Sequence, residues 1–365
     1  MAVYIGMTIL AVMFSAFSNI KKYKNKKSKK IVINFKVMCW YISEIILIIV
    51  AAIRYDVGKD YMYTYVPYFN GILTGNINEN IEIGFYLLNK LIQIFTRDYA
   101  WIFIVCSVIF FHYIYKAIRE QSPIPTLSVF LLVGTTYYFI FLNTMRQMIA
   151  ISIFLYAIKF IKERNFKKYL IYMLIAMSIH TSSVILIPIY FIYGVRLNTE
   201  KTILILFLSI ILKPVFTNIL LKILEFTKYN MYVDSRFDTN STGYIVIAIN
   251  VCVLLFSVIY YRRKKEFSKE EDNVSKEYSF YSILQLISTI IAIYDGSLPL
   301  LNRIRWGTGI SIIILIPMII KQEHNKNTRI IYVFMIVLLY SIYFLYTIGV
   351  KNANSVLPYL TIFQR

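Results

Sequence analysis

The chain has 365 residues, 58% of them hydrophobic and 16% charged, with a mean hydropathy of +0.62. That composition excludes an ordinary soluble domain and places the chain among polytopic membrane proteins. The formal charge of +20 would suit a nucleic-acid partner if it lay along one exposed face, but the cations gather in short loops, so no nucleic acid is expected and a lipid bilayer is the first partner.

Spanning the hydrocarbon core takes roughly 20 mostly apolar residues. Runs of that kind lie at 3–20, 31–53, 99–118, 124–142, 145–161, 202–224, 243–261, 278–293, 304–320 and 330–350. Lipid offers no partner to an open strand edge, and these runs greatly exceed a barrel strand. The predicted fold is therefore all-α, with about ten full transmembrane helices in one transmembrane domain over 1–365. The first run precedes a lysine-rich segment, the reverse of a cleavable signal peptide, and is expected to stay as a span.

Basic clusters near 21–30, 159–168, 262–277 and 321–329 are assigned to the cytoplasm by the positive-inside rule. Both termini are then predicted outside, with outer loops near 54–98 and 225–242. Parity closes only if one segment returns without crossing. The run at 169–193 is the preferred candidate, because His180, Thr181, Ser182 and Ser183 interrupt it and Pro188 follows, so that a broken or re-entrant hairpin forms around His180. Lys213-Pro214 is the second candidate.

Taken in chain order, the outer side collects a specific set of residues. After the second run come Arg54, Tyr55, Asp56, Val57, Gly58, Lys59, Asp60 and Tyr61, four charges and a glycine where lipid meets water. Next, Glu82 opens a helix near 82–96 whose apolar stripe, Ile83, Leu87, Leu91 and Ile94, is amphipathic and suits the membrane surface. Arg146 and Gln147 begin another span, where the positive end of the helix and a guanidinium reinforce each other toward anions. Arg97, Arg236, Arg303, Arg305 and Arg365 complete the outer and membrane-edge arginines.

A guanidinium is permanently charged and matches phosphate with a planar fork of donors, so arginine on the side where topology does not ask for cations points to a phosphate-bearing ligand. Ion pairing between helices and snorkelling ends are the competing structural reading. His180, at a polar break deep in an apolar run, can take a proton, with Ser182 nearby to shape the pocket; an interhelical hydrogen bond is its structural alternative. Tyrosines such as Tyr61 offer flat amphipathic faces that suit sugar rings, as well as interfacial belts. Cys39, Cys106 and Cys252 are far apart, and no cofactor or metal motif is present, so none is expected.

The ordered set of Arg54 to Tyr61, Glu82-Ile83-Gly84-Phe85, Arg146-Gln147, His180-Thr181-Ser182 and Arg303-Ile304-Arg305 resembles the EpsG-like branch of the Wzy polysaccharide polymerases, over most of the chain. The resemblance implies an integral membrane glycosyltransferase in the bacterial cytoplasmic membrane, joining undecaprenyl-pyrophosphate-linked repeat units on the outer face. A chain-length regulator of the same pathway is a further expected partner. On this reading Arg146 stabilises the departing pyrophosphate, His180 is the first candidate base and Asp60 the second. Substrate contacts are assigned to Arg54, Asp56, Gly58, Tyr61, Glu82, Gln147, Ser182, Arg236, Arg303 and Arg305. The alternatives are a flippase or exporter of a lipid-linked saccharide, and a related membrane glycosyltransferase or ligase.

Overall fold

The structure, a computed structural model, describes residues 1–18, 35–76, 81–225, 243–265, 272–295 and 301–365. The lysine-rich segment near 21–30, Arg236 and most of the loop near 225–242 lie outside the described residues. Among the described residues every regular element is helical, and strand pairing is limited to one isolated antiparallel bridge between Arg54 and Thr361. Two compact units divide the chain.

The first unit comprises 1–160, 165–184 and 320–365. It opens with α1 (Ala2–Ser18) and α2 (Phe35–Ala52), followed by a π-helical turn at Tyr61–Tyr65, α3 (Val66–Thr74), α4 (Ile83–Phe95) and α5 (Ala100–Gln121). Next come α6 (Pro125–Gly134), α7 (Tyr137–Asn143), α8 (Met145–Lys162) and α9 (Phe166–Ile179). Prolines at the starts of α3 and α6 have the fixed φ a first turn needs and lack only an N–H that would be unpaired there. Asn165 caps α9 by accepting from the Lys168 N–H, and Gly75 ends α3 in the left-handed region that favours glycine.

Small hydroxyls bind these helices where water cannot compete. Ser43 Oγ on α2 donates to the Ala11 carbonyl at 2.7 Å and lies 2.8 Å from the Tyr115 hydroxyl on α5, fully buried. Stacked and edge-on rings fill the space around them, Phe110 on Phe141 at 4.2 Å and Tyr4 on Phe139 at 4.9 Å.

The second unit comprises 161–164 and 185–319, with α10 (Thr199–Ile211), α11 (Lys213–Glu225), α12 (Tyr244–Lys265), α13 (Asp272–Tyr294) and α14 (Leu301–Gly309). α15 (Ile312–Lys321) ends it, and α16 (Lys326–Phe344) returns to the first unit. Leu206, Leu254, Val258, Leu286 and Ile293 make its apolar core. A buried polar ladder crosses from α12 to α13: Gln285 Nε2 and Ser288 Oγ donate to Asn250 Oδ1 at 2.9 and 3.0 Å.

By length and apolarity, four helices among the described residues can cross a membrane: Phe35–Ala52, Ala100–Gln121, Leu301–Lys321 and Lys326–Val350. Six qualify if each bent pair is one span, α6 with α7 bent by 52° and α10 with α11 by 63°. The sequence expectation of ten spans is larger because it counts runs whose helices are short, such as α1, or carry charge, such as α8 with Arg146, Lys159 and Lys162. Both predicted interruptions exist as breaks in helix geometry. α9 stops at His180 and hands over to a 3₁₀ helix, Thr181–Ile192, which contains Pro188, while α10 and α11 part beside Lys213-Pro214.

Candidate active site

Three of the predicted residues meet in the first unit. Glu82 immediately precedes α4, Arg146 sits in the first turn of α8, and His180 ends α9 in an extended conformation, φ −152° and ψ 112°. The two Glu82 carboxylate oxygens part company: Oε2 accepts from Arg146 Nη1, and Oε1 lies 3.0 Å from His180 Nδ1. The Thr181 N–H also points to Oε1, at 3.5 Å. All three side chains are mostly enclosed but reachable, 16–17% exposed.

Gly84 explains how a carboxylate on α4 reaches a histidine on α9. A Cβ at this position would lie 2.7 Å from the Ser178 carbonyl oxygen and closer still to the Ser178 hydroxyl, so only glycine lets the two helices approach. The opposite side of α4 is tied to α3, Lys90 Nζ donating to the Ile72 carbonyl at 3.0 Å and Gln93 Nε2 to the Phe69 carbonyl at 2.8 Å. Its predicted apolar stripe turns away from the protein, with Ile83, Leu87, Leu91 and Ile94 all exposed, as a helix against lipid requires.

Arg146 is held from several sides. Its guanidinium carbon stands over the Tyr68 ring at 4.9 Å and the Phe85 ring at 5.5 Å, and its backbone N–H donates to the Tyr65 hydroxyl at 3.4 Å. Burial pushes the Tyr65 hydroxyl upward, Arg146 opposes that shift and Asp60 adds to it, which places Asp60 within electrostatic reach of the same corner. Gln147, one residue on, is buried.

At Glu82, burial works to raise the carboxyl, but the hydrogen bond from His180 and the Arg146 charge outweigh it and bring it down from 4.5 to about 2. It is therefore a carboxylate at neutral pH and has no proton to offer. Beside a carboxylate the 3.0 Å contact suits His180 Nδ1 as the donor; in a neutral imidazole bonded that way Nε2 carries the lone pair. The arrangement can do two things at once: accept a proton at Nε2 and hold an anion against the guanidinium.

The other predicted residues divide between scaffold and elsewhere. Arg54 is fully buried; its guanidinium donates to the Ala51 and Leu142 carbonyls and to Met145 Sδ, and lies 5.0 Å from the Phe103 ring centre. Tyr61 is equally buried, stacked on Phe103 at 3.9 Å. Gly58 has a φ of +96°, and a Cβ there would lie 2.9 Å from both Asn143 Oδ1 and the Leu142 oxygen, so the chain turns sharply against the end of α7. Asp56 is exposed, also with positive φ, and Asp60 is half-buried at the start of the π turn. Ser182 is half-buried beside His180. Arg303 and Arg305 belong to the second unit, where Arg305 pairs with Asp295 at 3.3 Å.

The sequence marks Glu82 as a substrate contact but does not show its pairing with both other residues. The one local signal was the glycine two positions later, which marks a close approach. The C-terminal segment is not marked in the sequence either. It folds back on 53–58, with the Tyr55 N–H donating to the Leu360 carbonyl at 2.9 Å and the Gly58 N–H to the Ser355 carbonyl at 3.0 Å.

The chain matches the family described as the EpsG family over residues 37–361, a stretch that holds Glu82, Arg146 and His180. No curated protein and no solved structure matches it.

Proposed function

The chain belongs to the EpsG family, and from that membership we propose that it is a membrane polysaccharide polymerase, a glycosyltransferase that joins undecaprenyl-pyrophosphate-linked oligosaccharide units on the outer face of the cytoplasmic membrane. The observation that carries the reading is the Glu82, Arg146 and His180 cluster, a proton acceptor beside a guanidinium. In the transfer, an acceptor hydroxyl attacks the anomeric carbon of the donor sugar. Its proton passes to His180 Nε2, a new C–O bond forms, and the bond to pyrophosphate breaks with its electron pair on the leaving group.

Arg146 faces the charge that develops as pyrophosphate departs, in a site shielded enough for a fixed cation to count. Asp60 is the second candidate base. Arg54 and Tyr61, enclosed as they are, we assign to holding the turn at 54–61 in place, while Gln147, Ser182 and Asp56 are assigned as substrate contacts. Arg236, Arg303 and Arg305 are kept as substrate contacts on the sequence reading alone.

Purified protein supplied with a lipid-linked donor should produce a ladder of lengthening products. Arg146→Ala and His180→Ala, at wild-type protein levels, should each lose that ladder, with a decrease of about 100-fold or more. Wild-type chain lengths in both variants would refute the assignments. Transbilayer movement of the lipid-linked unit with no longer product would identify a flippase instead, and a single product a ligase.

A further inference from the structure

Glu82 spends its carboxylate on neighbouring elements, not on its own helix. It occupies the cap position of α4 with φ −60° and ψ 139°, yet its side chain makes no capping bond to the free N–H groups there. Both oxygens go instead to α8 and to the end of α9, one to Arg146 Nη1 and the other to His180 Nδ1 and the Thr181 N–H. Gly84 locks α4 against Ser178, two residues before His180. The carboxylate is thus presented from a rigid element to two groups at once. The charged and titratable groups paired with it are Arg146 on α8 and His180 at the end of α9; Tyr65 and Tyr68 in turn touch Arg146, and Asp60 lies within electrostatic reach of Tyr65.

We propose that Glu82 is a positioning residue that fixes His180 in the Nδ1–H tautomer, so that Nε2 is the nitrogen that receives the acceptor's proton, and that fixes Arg146 at a set distance from it. The identity of the acceptor rests on the polymerase reading above; the tautomer does not. An imidazole whose Nδ1 has no acceptor is free to carry its proton on Nε2, and then no lone pair remains there for the hydroxyl. The logic is that of a histidine base oriented by a buried carboxylate, in which losing the orienting group costs rate through the wrong tautomer.

The test uses the full chain in lipid nanodiscs, labelled with ¹⁵N-histidine, at a pH where His180 is neutral. The His180 signals are identified by their loss in His180→Gln. Wild type should show a protonated Nδ1 and a bare Nε2, and Glu82→Ala should shift the population toward Nε2–H. Turnover of lipid-linked donor by Glu82→Ala should fall about 100-fold in kcat with little change in KM, and Glu82→Asp should restore part of it. Wild-type His180 protonated at Nε2 overturns the proposal, whether or not any variant folds. So does Glu82→Ala with an unchanged tautomer or an unchanged kcat. If the tautomer responds as expected but wild type forms no glycosidic product, the polymerase reading fails and the positioning role of Glu82 stands.

Discussion

At the scale of single residues, Glu82 shows how three weak signals combine into a candidate site. A carboxylate, a guanidinium and an imidazole are individually common at membrane edges, and each could be satisfied by a structural pairing. What separates this group is that one carboxylate serves both partners, leaving His180 Nε2 outside that pairing. The pairing also ties stability to pH. Because the folded carboxyl is held down from 4.5 to about 2, its contribution is complete above 4.5 and disappears as pH falls from there toward 2. The melting temperature of wild type minus that of Glu82→Gln, followed across that interval, should shrink as acid is added; a difference independent of pH would contradict the assignment. Arg54 makes the opposite point. Its position beside Asp56 and Asp60 reads as a charged, solvent-facing cluster, whereas the chain folds it inward onto the Ala51 and Leu142 carbonyls, because a guanidinium can spend several donors on free helix-end carbonyls.

At the scale of elements, the contact of α4 with α9 decides whether a site exists at all. Periodicity in the sequence finds α4, the exposed stripe through Ile83, Leu87, Leu91 and Ile94, and the break at His180, since each depends on neighbours a few residues away. It does not find that α4 and α9 touch, because that contact joins residues nearly a hundred apart. Gly84→Val should therefore push the helices apart: a side chain must displace the Ser178 carbonyl, which its Cβ would approach to 2.7 Å. A loss of about 1–3 kcal/mol in stability is expected from such overpacking, together with loss of product. Thermal unfolding in detergent and the ladder assay check the two effects; wild-type values in both would show that α9 yields without cost.

At the scale of the whole molecule, the C-terminal segment belongs to the scaffold of the first unit. Six hydrogen bonds tie 354–362 to distant parts of it: Tyr55 N to Leu360 O, Gly58 N to Ser355 O, Ile362 N to Ile53 O, Tyr4 Oη to Val356 O, Asn143 Nδ2 to Asn354 O and Tyr359 Oη to Val50 O. Arg365 adds a pair with Asp98 at 2.7 Å over the Tyr99 ring. At roughly 1 kcal/mol each, the backbone and side-chain bonds sum to several kcal/mol, so deleting 351–365 should lower the melting temperature by several degrees and abolish polymer formation. A deletion that melts like the full chain would show that the turn at 54–61 holds without this support.

The sequence alone determined the membrane class, the helical fold, the family resemblance and the residue types of the candidate site, because composition, apolar run length and local breaks depend on near neighbours and on the solvent the chain must meet. Tertiary structure decided which charged residues join one another: Glu82, Arg146 and His180 come together across three helices, while Arg54 turns inward to close helix ends. That choice depends on contacts between residues far apart in the chain: Gly84 signals a close approach but not its partner, Ser178, and the C-terminal segment that returns to 53–58 has no local counterpart in the sequence.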